Sequence, residues 1–348
     1  MPSRLLFLFA ETPVHAGGSE SFEVVDLPIQ REAATTLPVI WGQSLKGALR
    51  ETARDAGWDG ADIKAVFGSP PPGEADSDGE ADPGNGNGTL VKGEVAIGDA
   101  QLLLFPAATL SNTFAWVTSG LLLSRLLRKL SLLDQALGRA WPASSPAYAV
   151  AAGPTWSGTQ VIGPYVQQTT TSTDVPRIAA ALAGLVCPDA GADPDRDVFA
   201  YTRSKLATDL LLASDEVLTG LARSGTDVVA RVQLKPGAKT VEHGPFYSEH
   251  LPAETVLVAV LNGPEPRLAK LAGLLHRRPM RLGGDETIGK GLLWCTVHDA
   301  ESLRGVVESP ASDGSASAKP APAPTPAPTP APAGSAPNPG MLARKAHR

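Results

Sequence analysis

The sequence lacks the features that mark most enzyme classes. Only two cysteines occur in 348 residues, Cys187 and Cys295, and neither has a second Cys or a His at metal-ligand spacing. A disulfide framework is therefore excluded and no zinc site is indicated, and two buried thiols in a reducing compartment are expected. No apolar run approaches the roughly eighteen residues of a membrane span, and the run at 4–10 is stopped by Glu11, too short for a secretory signal. The expected location is the cytoplasm, with no membrane partner. No Gly-x-Ser-x-Gly elbow, His-Glu-x-x-His motif or strand-borne Gly-x-Gly-x-x-Gly is present, so hydrolase and dehydrogenase readings have no support. An excess of positive charge is also missing: 30 Lys and Arg against 36 Asp and Glu leave a net −6. A generally basic nucleic-acid coat is excluded, and any RNA or DNA must be held by a local groove.

Glycine (35) and proline (32) are abundant, and two stretches carry much of the unusual composition. Residues 309–348 hold ten of the prolines in an Ala/Pro/Thr alternation, which predicts an extended, disordered C-terminal tail with a basic end, Arg344-Lys345-Ala346-His347-Arg348. Residues 69–88 hold five acids and no base around Pro-Pro-Pro-Gly and Gly-Asn-Gly-Asn-Gly, which predicts a mobile acidic insertion. The remaining chain, about 290 residues, suffices for one large core or two small ones, and we expect one domain over 1–308.

Residues 4–10 read as a strand, and Ser44 reads as the N-cap of a helix whose Leu45, Ala48, Leu49 and Ala53 share one face. Strands are expected at 91–105, 113–117, 147–151, 160–162, 255–261, 280–282 and 292–297, and helices at 121–137, 215–222 and 266–275. A hairpin joins 227–234 to 240–247 through Lys235-Pro236-Gly237-Ala238. Alternating strands and helices with several hairpins predict an α+β fold with ferredoxin-like units.

Several residues have a chemical reading beside a structural one. Segment 283–291 has P-loop spacing at Gly284, Gly289 and Lys290, but Gly291 replaces the magnesium-binding hydroxyl, and the segment leads into a strand. What survives is a nest of backbone N–H groups beside Lys290, suited to a phosphodiester, with a tight β-turn as the alternative. Asp26, between Val24-Val25 and Leu27-Pro28-Ile29, is either a turn-forming acid or a carboxylate that orients a divalent ion or removes a proton at a scissile phosphate. His15 is a base or phosphate donor, or an ordinary hydrogen-bonded side chain. Lys46 at a helix start suits a phosphate, or is a plain surface lysine. Glu249 is a second acid or a surface residue, and Tyr247 stacks on a base or packs in a core.

Taken in order, Thr12-Pro13-Val14-His15-Ala16-Gly17, Val25-Asp26-Leu27-Pro28-Ile29-Gln30-Arg31-Glu32 and Ser44-Leu45-Lys46-Gly47-Ala48-Leu49-Arg50 resemble the RAMP superfamily of CRISPR effector subunits. The likeness is strongest to the repeated backbone ribonuclease of type III-B complexes. Ser214-Asp215-Glu216, Val228 through Val232, Leu251-Pro252-Ala253-Glu254-Thr255 and the glycine-rich 283–291 extend it to residue 298. The resemblance implies an RRM-like (ferredoxin-like) core with a protruding hairpin at 228–247 that wedges a guide–target duplex. It also implies an endoribonuclease that stacks with other copies of itself and other effector subunits along a guide RNA (crRNA) and cuts a complementary target RNA. In that likeness Asp26 is the acid required for cutting with a divalent metal, Mg2+ or Mn2+, and His15 and Glu249 lie near it. Lys46, Arg50, Gly284, Gly289, Lys290, Gly291 and Tyr247 are the expected RNA contacts. The alternative is a scaffold subunit that binds guide RNA without cutting. Trp41-Gly42-Gln43-Ser44 departs from the family's Pro-Gly-Ser-Ser, and the insertion and tail have no counterpart in it.

Overall fold

The computed structural model of the protein describes residues 1–18, 25–69, 91–134, 150–187, 197–235, 237 and 240–308. The acidic insertion beyond Ser69, the tail at 309–348, the end of the helix expected at 121–137 and most of the hairpin turn lie outside these residues. Among the described residues are fourteen strands and eight helices. The first part of the chain runs β1 (Ser3–Ala10), β2 (Val39–Ile40), α1 (Gly42–Asp55), α2 (Gly60–Phe67), β3 (Ala96–Ile97), β4 (Ala100–Ala108), β5 (Phe114–Ser119) and α3 (Gly120–Leu133). The middle runs β6 (Val150–Ala152), β7 (Gly158–Ile162), β8 (Tyr165–Thr171), α4 (Asp174–Val186), α5 (Ala200–Thr208), β9 (Leu210–Ala213) and α6 (Asp215–Ser224). The last part runs β10 (Asp227–Leu234), β11 (Val241–His250), β12 (Val256–Asn262), α7 (Glu265–Leu275), β13 (Arg278–Arg281), β14 (Leu292–His298) and α8 (Ala300–Glu308).

Twelve strands form one mixed sheet in the order β13-β14-β1-β12-β4-β5-β9-β6-β8-β7, with β2 beside β4 and β3 beside β12. The stretch β14-β1-β12-β4 is antiparallel throughout, and β5-β9 and β6-β8 are parallel. A separate two-stranded ladder pairs β10 with β11, from Asp227 opposite His250 to Leu234 opposite Val241.

The apolar run of β1 follows from its central place. Leu6, Leu8 and Ala10 join a core with Leu45 and Leu49 of α1 and Leu268 and Leu271 of α7, whereas Leu5, Phe7 and Phe9 join a second core with α3, α4 and Leu303 of α8. A strand covered by helices on both faces has no polar side to present, so its sequence reads as continuous rather than alternating. The helix expected to be capped by Ser44 starts three residues earlier, with Trp41 at the N-cap position. Asp99 Oδ1 accepts the Gly42 N–H at 2.7 Å and caps the helix from outside it, so Ser44 lies in the first turn. Gly42 is required there, since a Cβ would stand 2.5 Å from the Ile97 carbonyl oxygen. Both cysteines are buried free thiols. Among the described residues no helix is long and apolar enough to cross a membrane.

Buried ionisable groups set the pH range of stability. Burial is the main cause holding His250, His276 and His298 below the ordinary histidine value of 6.5. His298 hydrogen-bonds the Leu185 carbonyl through Nε2 at 2.9 Å, and its buried Nδ1 has no partner to receive a second proton. Below about 6.5 the unfolded chain takes up protons that the folded chain refuses. Stability therefore falls with acidification, by up to about 1.4 kcal/mol per pH unit for each histidine. Glu254 behaves oppositely: burial, then the nearby Glu11, pushes its carboxyl up to about 7 from 4.5. Its penalty accumulates as pH rises from about 4.5 to 7 and is complete above that. Glu254→Gln should stabilise by about 1–2 kcal/mol at pH 8, after allowance for partial exposure, and by little at pH 5. Thermal melts at the two pH values check this, and an equal gain at both would remove ionisation as the cause.

Candidate active site

The site is built where the loop after β1 meets β11. Val14 and Leu251 exchange backbone hydrogen bonds at 2.9 and 2.8 Å. The segment 25–30 lies between them and is held along both edges. On one side Leu27 N–H donates to Tyr247 O at 3.0 Å and Glu249 N–H to Leu27 O at 2.9 Å. On the other, Gly18 N–H donates to Pro28 O and Gln30 N–H to Ala16 O, both at 2.8 Å. Pro28 keeps Leu27 extended and Ile29 enters the core, which leaves Asp26 exposed on a rigid backbone. Its Oδ2 accepts the Tyr247 N–H at 2.7 Å, and its Oδ1 has no protein donor among the described residues.

His15 is half-buried, and its Nδ1–H donates to the Glu249 carbonyl at 2.7 Å. That bond fixes the neutral tautomer and leaves Nε2 as an acceptor. Glu249 itself is 6% exposed. Its carboxylate accepts from Arg31 at 2.6 Å, Thr226 Oγ1 at 2.8 Å and Ile29 N–H at 3.1 Å. A carboxylate turned inward onto three donors does not face a solvent-borne phosphate, so the catalytic role expected of Glu249 gives way to an anchoring one.

The loop 283–291 is laid on the same backbone. Gly284 N–H donates to His15 O and Gly291 N–H to Pro13 O, both at 2.9 Å. Gly283 (φ 99°) and Gly291 (φ 79°) adopt conformations favouring glycine, and a Cβ on Gly283 would stand 2.4 Å from the His15 carbonyl oxygen. The N–H groups of Ile288, Gly289 and Lys290 bond back to Asp285 or Glu286. Five of the nine amides of the loop are thus engaged, two by the segment after β1 and three within the turn, which leaves fewer for the expected phosphate nest. The Lys290 side chain has no ion-pair partner among the described residues.

Asp285, left-handed at φ 71°, links the loop to the hairpin. Both its oxygens meet the Arg231 guanidinium, and His250 Nε2–H donates to Oδ2 at 3.2 Å. Arg231, then His250, holds the Asp285 carboxyl below the usual range. The His250 ring lies 5.4 Å from that of His15. Tyr247 stands exposed on β11, beside exposed Val228, Val229, Val232 and Val241 of the same ladder.

The α1 residues lie elsewhere. Lys46 is half-buried, and burial, then Arg50, lowers its pKa from 10.5. It lines a depression with Gln43, Lys92 and Asn262. Arg50 donates to the Phe67 carbonyl at 3.0 Å and faces the carbonyls of Gly68 and Ser69. Through Nη2 it clamps the end of α2. The structure thus gathers His15, Asp26, Tyr247, Glu249, Gly284, Gly289, Lys290 and Gly291 around β11 and separates Lys46 and Arg50 from them.

Sequence reasoning missed Gln30, Arg31, Thr226, His250 and Asp285. Gln30 is 4% exposed and bonds Gly17 O, Ser44 Oγ and Trp41 N, tying the Asp26 segment to α1. The one available signal was three consecutive polar residues, Gln30-Arg31-Glu32, directly after a core isoleucine.

The divalent metal expected with Asp26 finds no cage. Among the described residues no group of three His, Cys, Asp or Glu side chains gathers. Asp26 is a single carboxylate with one oxygen occupied, and Glu249 and Asp285 are held by their own partners. These residues do not fit a resident ion.

The chain is 28% identical over 321 residues to the CRISPR system Cmr endoribonuclease Cmr4 of Pyrococcus furiosus, covering 88% of this chain and 99% of that protein. Among solved structures, oligomeric Cmr4 from Pyrococcus furiosus superposes with a TM-score of 0.64 at 23% identity, over 86% of this chain and 99% of that one. A chain of the type III-B Cmr-beta complex bound to cognate target RNA gives 0.62 at 20% identity, over 86% and 98%. The family model of the RAMP superfamily matches residues 8–294, from within β1 through the Asp26 segment to β14, and the chain belongs to that superfamily.

Proposed function

We propose that the protein is a guide-RNA-binding backbone subunit of a type III-B CRISPR effector complex and cuts complementary target RNA with Asp26. The observation that carries this reading is the exposed Asp26 carboxylate on a segment fixed along both edges. The relative named as a Cmr endoribonuclease, the oligomeric Cmr4 and the target-bound complex support it, as they do stacking with further copies and other subunits.

The order β14-β1-β12-β4, with α1 after β1 and α7 after β12, supports a ferredoxin-like core of the βαββαβ kind. An ordinary RRM stacks bases on its open sheet face. Here helices cover both faces of β1, so RNA lies instead across the Asp26 segment, the 283–291 loop and the β10–β11 hairpin. Lys290 and, further along, Lys46 meet phosphates, and Tyr247 with the exposed valines of the hairpin wedges the duplex and unstacks a nucleotide. Unstacking lets the target's own 2′-OH line up with the adjacent phosphorus. Asp26 accepts the 2′-OH proton as the 2′-O–P bond forms and the P–O5′ bond breaks; the leaving 5′-oxygen takes a proton from water, and Asp26 returns its own proton to solvent. His15, its Nδ1 fixed, offers Nε2 as an acceptor to a ribose hydroxyl of the RNA.

The test uses the complex reconstituted with a defined guide and an end-labelled complementary RNA. Regularly spaced cuts ending in 2′,3′-cyclic phosphate are expected, with no cut where the target carries a 2′-deoxynucleotide. A complex that binds the target and leaves it whole would instead establish the scaffold role.

A further inference from the structure

We propose that Arg31, acting through Glu249, is a positioning residue that sets the place of Asp26 for target cleavage; this rests on the function proposed above. Arg31 and Glu249 lie 218 positions apart and meet at 2.6 Å with side chains only 21% and 8% exposed. The second guanidinium nitrogen donates to Thr36 O at 2.9 Å and to Ala222 O near the end of α6 at 3.1 Å. Arg31 therefore ties the segment carrying Asp26 to β11 and to α6 together. Glu249 completes the brace from the other side, because Oε2 takes the Ile29 N–H while Oε1 also takes the Thr226 hydroxyl.

The geometry distinguishes positioning from general support. Tyr247 N–H holds the Asp26 carboxylate and Glu249 holds Ile29 and Arg31, so β11 grips the segment on both sides of Leu27. The flanking residues are anchored independently. Gln30 bonds Ser44 and Trp41 at the start of α1, and Glu32 takes a bidentate pair from Arg125 of α3 at 2.8 Å for each bond. Removing Arg31 thus leaves the segment attached on both sides and frees the Glu249 carboxylate, which holds Ile29, to turn away. Buried ion pairs stabilise little compared with apolar groups of the same size, and their best use is to select one geometry.

The experiment compares guide-loaded complexes carrying wild type, Arg31→Ala, Arg31→Lys, Thr226→Val and Asp26→Ala in single-turnover cleavage, with half-saturation by target RNA measured alongside. Arg31→Ala should slow cleavage on the order of 10²-fold with half-saturation unchanged, the size expected for a misplacement of about 1 Å. Arg31→Lys, which keeps the charge and loses the fork, should recover about tenfold of that. Wild-type cleavage by Arg31→Ala beside an inactive Asp26→Ala complex overturns the positioning role alone, as does a loss that appears only as weaker target binding. Normal cleavage by Asp26→Ala overturns both the role and the reading beneath it. If Arg31→Ala does not assemble, Arg31→Lys and Thr226→Val decide: rates reduced about three- to tenfold support the inference, and unchanged rates overturn it.

Discussion

Asp26→Asn should cost the guide-loaded complex about 10²- to 10⁴-fold in cleavage rate while leaving assembly and target binding intact. Asparagine has nearly the size of aspartate, and its carbonyl oxygen can still accept the Tyr247 N–H that Oδ2 accepts now, so the segment between Ala16 and β11 keeps its place. What disappears is the negative charge and the capacity to take a proton from the 2′-OH. Asp26→Ala removes the hydrogen bond as well and should be no more active. The measurement is single-turnover cleavage with binding followed separately. A fully active asparagine variant would assign the reaction to RNA geometry alone.

The second large effect is on stability. Gly283→Ala places a methyl group 2.4 Å from the His15 carbonyl oxygen and 3.0 Å from its carbonyl carbon, both backbone atoms, at a φ of 99°. Relief requires the loop to lift, which breaks the Gly284 N–H to His15 O bond and pulls Asp285 from Arg231 and His250. The strain and the stranded buried groups together should cost about 3–5 kcal/mol. Gly289→Ala is the control: φ is 83° there too, but no atom lies within 4 Å of the added carbon, so only conformational strain of about 1–2 kcal/mol is expected. Urea unfolding midpoints separate the two, and equal losses would mean that close approach to His15 does not matter.

Local patterns revealed the elements whose neighbours leave a simple trace. Leu45, Leu49 and Ala53 face one core and betray α1, and the strands of the β10–β11 ladder flank a Pro-Gly turn signal. α4 escaped because Val175, Ile178, Ala179, Leu182, Ala183, Leu185 and Val186 are all buried and leave little polar face to set a period. α2 and α5 are short, and the four buried residues of β9 read equally as helix or strand. In the candidate site, the motifs around His15 and Asp26 singled out two residues that the fold sets beside β11. They did not show that Arg50 binds the end of α2 or that five amides of 283–291 are engaged by the chain itself, since a motif advertises chemical groups without saying which the fold uses for itself. Glu249 shows the same limit: its meaning lies in Arg31, 218 positions away.

The place of β1 also orders events on the ribosome. This strand pairs with β12 and β14, so Phe9 waits for Val256 and Trp294, and at ordinary synthesis rates that delay is on the order of ten to fifty seconds. For that time β1 has neither edge covered by its final partners, although α1 and α3, made earlier, can already cover its faces. The first strand made is thus among the last to gain its sheet neighbours, and the Asp26 segment that follows it, whose register depends on β11, waits with it. A half-made chain exposes the edges of this strand to chaperones, and Asp26 takes its fixed place only once β11 has been made.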